Sequence, residues 1–158
     1  MKIIKEISSY LIIIVVVVLV RAFIVTPVMI DGESMDPTLK ETDIVILNKL
    51  DHKYERGDIV VVKTMDERII KRVIGLPGER IRCADNVIYI NGKKIDDDFA
   101  YITDDFPETY IKKDYYYVLG DNRENSLDSR RIGAISKSQI VGSVDLIIFP
   151  FTRFGFID

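Results

Sequence analysis

The chain of 158 residues holds a single cysteine, Cys83, so no disulfide can form within it and a disulfide-stapled scaffold is excluded. It also holds a single histidine, His52, and one Cys with one His cannot furnish a Cys/His zinc site. Basic charge is not in surplus: 22 Lys and Arg stand against 25 Asp and Glu, a formal net of −3. A mildly acidic chain lacks the surface that phosphate contacts need, which argues against a nucleic-acid partner. There is no internal repeat and no low-complexity linker, and beyond the N-terminal segment no sustained apolar period of 3.6 residues. What remains, 47% hydrophobic and 30% charged, is the composition and size of one globular domain.

The apolar residues are concentrated at the start. Residues 7–20 (ISSYLIIIVVVVLV) carry no charge over 14 positions; Arg21 interrupts the run and AFIV continues it to Val25. As a helix, 7–25 is about 28 Å long, enough to span a hydrocarbon core if Arg21 snorkels to one interface. A cleaved signal would need small residues after the core, and Thr26-Pro27-Val28 is a poor match. A buried core helix would show a polar stripe, which is absent after Tyr10. The expectation is an uncleaved anchor over 7–25, ended by Pro27, with a cytoplasmic tail over 1–6 bearing Lys2 and Lys5 and an extracytoplasmic domain over 26–158. Beyond Arg21 there are 24 acidic and 19 basic residues, a net of −5.

The rest reads as mostly β. Short runs rich in Val, Ile, Tyr and Phe at 44–47, 59–62, 69–74, 87–90, 115–119 and 140–149 are broken by turn formers. Met65-Asp66-Glu67 joins two of them as a hairpin, and Asn91-Gly92 is the strongest short-range hairpin signal. The acidic stretch 96–105 reads as a solvated loop, since its spacing is not that of a calcium-binding EF-hand. The predicted architecture is a coiled or barrel-like antiparallel β domain, preceded by one transmembrane helix.

Three clusters carry possible chemistry. In the strand around Lys71, period-two alternation sets the lysine on one face with Ile69 and Val73, and Arg68, Ile70 and Arg72 on the other. Burial lowers a lysine pKa and makes a general base; the competing reading is a lysine that blunts a sheet edge, and periodicity alone favours the edge without closing the other. Ser34 lies in GESMDPTL (32–39), a turn-prone segment that can expose a hydroxyl and aim backbone N–H groups at one point. His52, in a polar loop, is the other conceivable base. The third cluster is GDNRENSLDSR (120–130), dense in short hydrogen-bonding side chains and without the Lys-Ser/Thr end of a P-loop.

Together these resemble the type I signal peptidases. An N-terminal membrane segment is followed in family order by GESMDPTL (32–39), RGDIVVV (56–62), KRVIGLPGE (71–79) and GDNRENSLDSR (120–130), so the resemblance covers essentially the whole chain. It implies a membrane-bound Ser-Lys endopeptidase that removes signal peptides from exported preproteins after Ala-X-Ala-like sites, with no metal or cofactor. By motif, Ser34 would be the nucleophile and Lys71 the general base. Ser126 would hydrogen-bond the lysine, Asp128 would pair with Arg130, and Asp121 with Arg72 would steady the loop. Where enterobacterial-type enzymes place a serine oxyanion donor two residues before the nucleophile, this chain has Gly32, so the oxyanion would rest on backbone N–H groups, as in Gram-positive-type enzymes. The interval 80–119 leaves room for only a small inserted β region. Ile30, Gly32, Met35, Leu39, Ile69 and Ile70 are the candidate substrate-groove residues, shallow apolar pockets selecting small side chains by exclusion.

The partners expected are secretory preproteins and membrane lipid, the latter also meeting the apolar stretches 25–30 and 149–156; a monomer is expected. A self-cleaving repressor using the same dyad would need a DNA-binding helix-turn-helix where this chain has its apolar segment. The alternative is a catalytically silent anchored β domain that binds export substrates, against which stands the presence of both Ser34 and Lys71.

Overall fold

The computed structural model describes residues 2–50, 53–65, 67–97 and 102–157, with side chains from Tyr10 onward. His52 and Asp66 lie outside the described residues. Helix α1 covers Lys2–Phe23 and stops four residues before Pro27. Its end is closed by Ile24 N–H on Val20 O and by the Lys49 ammonium, which donates to the carbonyls of Arg21 and Ala22 at 3.0 Å each. A cation at free C-terminal carbonyls meets both their hydrogen-bonding need and the helix dipole. Among the described residues no helix is long and apolar enough to cross a membrane.

Among the described residues twelve strands follow: β1 (Val25–Met29), β2 (Ile44–Asn48), β3 (Ile59–Lys63), β4 (Arg68–Gly75), β5 (Arg80–Ala84), β6 (Val87–Ile90), β7 (Lys93–Lys94), β8 (Phe106–Tyr110), β9 (Tyr115–Leu119), β10 (Ile135–Ser136), β11 (Ile140–Phe149) and β12 (Gly155–Phe156). A short helix, α2 (Ser129–Ile132), lies between β9 and β10. Eight strands form one antiparallel sheet in the order β1-β2-β11-β3-β4-β9-β10, with β12 added to β11. The path does not return on itself, so the barrel-like expectation resolves into an open, coiled half-barrel. β7-β6-β5-β8 make a separate four-stranded sheet from residues 80–110. β9, inside the expected 80–119 insert, instead pairs with β4 in the large sheet.

All six strand runs expected from sequence are strands, and the missed ones are the weaker elements. β1, expected at the lipid surface, is an edge strand on β2, where Pro27 costs no ladder bond to a further neighbour. β5 alternates Arg80, Arg82 outward with Ile81, Cys83 inward, a pattern masked by its charges. Asn91 and Gly92 turn β6 into β7 with positive φ at both, 51° and 77°.

The core has three parts. Leu39, Val45, Leu47, Ile59 and Val61 pack on one side of the large sheet, and Val60, Val62, Val73 and Val118 on the other. Ile74, Ile81, Ile88, Ile111 and Leu119 weld the small sheet to the large one.

Of the 96–105 stretch, expected as a solvated loop, residues 98–101 lie outside the described residues; Asp96 and Asp104 are exposed, and the other described acidic side chains have partners. Asp97 pairs with the buried Arg123, Thr103 is buried, and the Asp105 carboxylate caps the N–H groups of Asp85 and Asn86. Acidic residues clustered in sequence look solvated until cations and free amides elsewhere in the chain are brought to them.

Candidate active site

The turn from Ile30 to Asp43 is closed at its base by Ile30 N–H on Asp43 O and Thr42 N–H on Ile30 O, at 2.8 and 3.0 Å. Met35 and Leu39 are buried in the core and pin the turn from inside. Gly32 takes φ +96°, a conformation that side-chain-bearing residues rarely adopt, and lets the chain enter the turn. Ser34 is held between these anchors with its hydroxyl facing β4.

From β4, Lys71 Nζ donates to Ser34 Oγ at 2.7 Å and to Ile70 O at 2.8 Å. Lys71 is only 2% exposed, opposite Val60 on β3 and between the buried Ile69 and Val73. Burial lowers its pKa from 10.5 to about 8, against the opposing pull of Asp128, then Glu67 and Asp121. The two readings that periodicity left open are therefore separated by tertiary packing: this lysine is interior. Next to it Arg72, also buried, makes a bidentate pair with Asp121 at 2.8 and 2.9 Å and donates to Gly57 O and Thr38 Oγ1.

The third cluster closes over the nucleophile turn. Asn122 N–H donates to Ser34 O at 3.1 Å. Asp128 accepts from Gly120 N–H at 3.1 Å, caps α2 at Arg130 N–H, and takes two bonds of 2.9 Å from the Arg130 guanidinium. Burial opposes the Asp128 carboxylate, but Arg130 and the Gly120 amide outweigh it and hold its pKa below the ordinary range. Ser126 is buried, and its Oγ has no hydrogen bond of ordinary geometry, only a looser contact that helps hold Asp128 ionised. The bond expected from Ser126 to the lysine is absent, because the ammonium is turned to Ser34 and Ile70 O.

Gly120 carries a steric requirement. A Cβ there would meet the Ser126 hydroxyl and stand 2.5 Å from Ser34 O, a backbone atom that cannot swing aside. Gly120→Ala is expected to displace Ser34 and cut kcat by about 10²-fold, since misplacement of about 1 Å costs that much. Steady-state kinetics on the purified variant, with its thermal unfolding curve alongside, checks this.

An open groove of about 320 Å³ runs past Ser34 and Lys71. Of the groove residues expected, Ile30, Gly32, Met35, Ile69 and Ile70 line it, whereas Leu39 is fully buried core. Helical or strand alternation cannot be read in a turn, so nothing in the sequence distinguished Leu39 from its neighbours. Sequence reasoning missed Val28, Met29, Asn125 and Leu127. Leu127 had a signal: it is the single apolar residue in an otherwise polar cluster, and it remains 43% exposed. Among the described residues no group of His, Cys, Asp and Glu is arranged to hold a metal ion.

A serine hydroxyl bonded to a desolvated lysine, beside a groove, is the arrangement of a hydrolase with an amine base. The family model for signal peptidases, peptidase S26, matches residues 3–149, and the chain belongs to that family. It is 38% identical to signal peptidase I S of Bacillus subtilis over 92% of this chain and 89% of the relative. It is likewise 38% identical to signal peptidase IB of Staphylococcus aureus over 97% of this chain and 93% of that one. A solved signal peptidase I from Enterococcus faecalis, 31% identical, superposes with a TM-score of 0.53 over 58% of this chain and 96% of its own.

Proposed function

We propose that this protein is a membrane-anchored serine endopeptidase that removes N-terminal signal peptides from secretory preproteins after Ala-X-Ala-like sites. The family and its relatives support the reaction. The observation that carries the mechanism is the 2.7 Å contact between Lys71 Nζ and Ser34 Oγ, made by a lysine whose pKa burial lowers to about 8.

Neutral Lys71 takes the Ser34 proton as Oγ attacks the scissile carbonyl. The oxyanion rests on backbone N–H groups of the nucleophile turn, Ser34 included, because Gly32 has no side chain to offer. The tetrahedral intermediate collapses as the resulting ammonium protonates the departing amine. The ester on Ser34 is then hydrolysed by a water that gives its proton to Lys71, and the ammonium returns that proton to Ser34 Oγ as the C–O bond breaks, which restores both groups. Asp128, Asp121 and Glu67 keep the lysine pKa from falling further, so the amine stays basic enough to accept a proton. Arg72 cannot substitute, being permanently charged. Ile30, Ile69 and Ile70 form the apolar wall that receives small side chains.

In this reading the apolar run 7–25 is the anchor, and it would bring the groove to the surface where the substrate's own apolar segment lies and raise the effective concentration of substrate. Exposed Phe149, Phe151, Phe154 and Phe156 suit the same lipid interface. The N-terminus is cytoplasmic and the β domain extracytoplasmic by the charge rule.

The test is cleavage of a purified preprotein bearing an Ala-X-Ala site, in detergent and again in liposomes, across pH. Cleavage is expected at that site, with kcat/KM rising as pH passes through about 8, because the lysine must be neutral to act. A folded enzyme that cuts in neither medium would instead be a substrate-binding domain.

A further inference from the structure

The 120–131 loop that covers the nucleophile turn has almost no regular backbone structure of its own before α2. Among the side chains that shape it, one reaches out of the loop altogether. Arg123 is fully buried, and its Nε donates to Gly120 O at 2.8 Å, while its own carbonyl accepts from Arg130 Nη2 at 2.6 Å. The guanidinium then leaves the loop: Nη1 and Nη2 reach the two carboxylate oxygens of Asp97 at 2.5 and 2.7 Å, and Nη1 also reaches Thr103 Oγ1. Asp97 and Thr103 belong to the segment between β7 and β8, the trailing part of the small sheet. The Asp97 side chain is 14% exposed, so the pair is shielded from solvent. Gly120 is the shared point. Arg123 holds its carbonyl, Asp128 holds its amide, and its Cα lies against Ser34 O.

We propose that Asp97 is a positioning residue for hydrolysis: through Arg123 it locks the 120–131 loop onto the nucleophile turn, so that the inserted small sheet serves the active site although it contributes no reacting group. The inference rests on the Ser34–Lys71 reading. A planar guanidinium with a bidentate carboxylate fixes direction as well as distance, which a flexible contact would not. The distribution of partners matters too. With Asp97 neutral, Arg123 loses the bidentate carboxylate that fixes its direction in a buried site and turns away, releasing Gly120 O and with it the seat of Ser34 O. The groove wall formed by Ile69 and Ile70 stands on β4 and keeps its place, and only Asn125 and Leu127 of the lining belong to the loop, so most of the substrate binding survives.

The experiment compares kcat and KM of the parent enzyme, Asp97→Asn, Asp97→Glu and Thr103→Val on one preprotein, each with its thermal midpoint, well below unfolding. Asp97→Asn is expected to lower kcat about tenfold with KM changed less than about twofold, as for a small misplacement of reacting groups. Asp97→Glu restores the carboxylate and recovers most of kcat; Thr103→Val, which removes a neutral partner, falls between. A lower thermal midpoint in Asp97→Asn with unchanged kcat makes the link a structural staple only and overturns the proposal. A raised KM at constant kcat overturns it in favour of a groove contact. No cleavage by the parent enzyme overturns both this inference and the function it rests on, whereas parent cleavage with wild-type kcat in Asp97→Asn overturns this one alone.

Discussion

Lys71→Arg is expected to abolish cleavage, a loss of about 10³-fold or more, although the variant keeps a cation at the same position. Arginine cannot lose its proton in the working range, so it can bond Ser34 Oγ but cannot take its hydrogen. Lys71→Met loses activity equally and separates catalysis from stability. Charged Lys71 is a burden on the fold: a pKa lowered from 10.5 to about 8 corresponds to about 3 kcal/mol of destabilisation at neutral pH. That cost is fully present below pH 8, where the folded lysine is charged, and fades as pH rises toward 10.5, where it is neutral in both states. Methionine fills the stem's space without the charge, so Lys71→Met is expected to unfold at a higher temperature than the parent by about 5 °C at pH 7, after allowance for the lost bonds to Ser34 and Ile70 O. The difference should shrink between pH 8 and 10. Thermal scans across that range with paired activity assays check both halves; an active Lys71→Met would remove the lysine from the mechanism.

Asp121→Ala is expected to be the most damaging single change to the fold outside the hydrophobic core. It would strand the Arg72 guanidinium, whose side chain is 5% exposed, and break a bidentate pair to a carboxylate that is fully buried. Removing one partner of such a pair costs about 3–5 kcal/mol, because the remaining charge stays desolvated. That is a large part of the net stability of an ordinary domain. Arg72 also bonds Gly57 O and Thr38 Oγ1, so its displacement would loosen the turn after Ser34 as well as the β3 entrance. Chemical denaturation should show a lower midpoint with an unchanged m-value. The double variant Arg72→Met/Asp121→Leu, which removes both charges, should recover much of the loss; if it is no better than the single variant, the penalty is not one of an unpaired charge.

Much of this site was legible because its elements are local. The alternation around Lys71 places it with Ile69 and Val73, and both are buried as that pattern requires. Ser34 in its turn-prone segment and Asp128 two residues before Arg130 are short-range patterns too, and the structure shows the Asp128–Arg130 pair directly. Other parts were not legible for physical reasons. Asp97 and Arg123 are 26 residues apart, and nothing in an acidic run marks which aspartate will be met by a cation from another loop. Leu39 went to the core rather than the groove because the turn around it has no period to read. β5 and β8 went unread because charged residues on their outer faces dilute the apolar signal.

By itself the sequence determined the class of chemistry. One cysteine and one histidine remove disulfide and Cys/His zinc architectures, the apolar N-terminal run stands apart from the rest of the chain, and short Val- and Ile-rich runs make a β domain. These follow from composition and from periods of two residues, which act over a few positions. Only the tertiary structure decided that Lys71 is a buried lysine and not an edge lysine, that its hydroxyl partner is Ser34 and not Ser126, and that the segment after β7 is tied to the 120–131 loop. Desolvation and Coulomb attraction are sums over every neighbour in space, and here those neighbours come from strands and loops far apart along the chain.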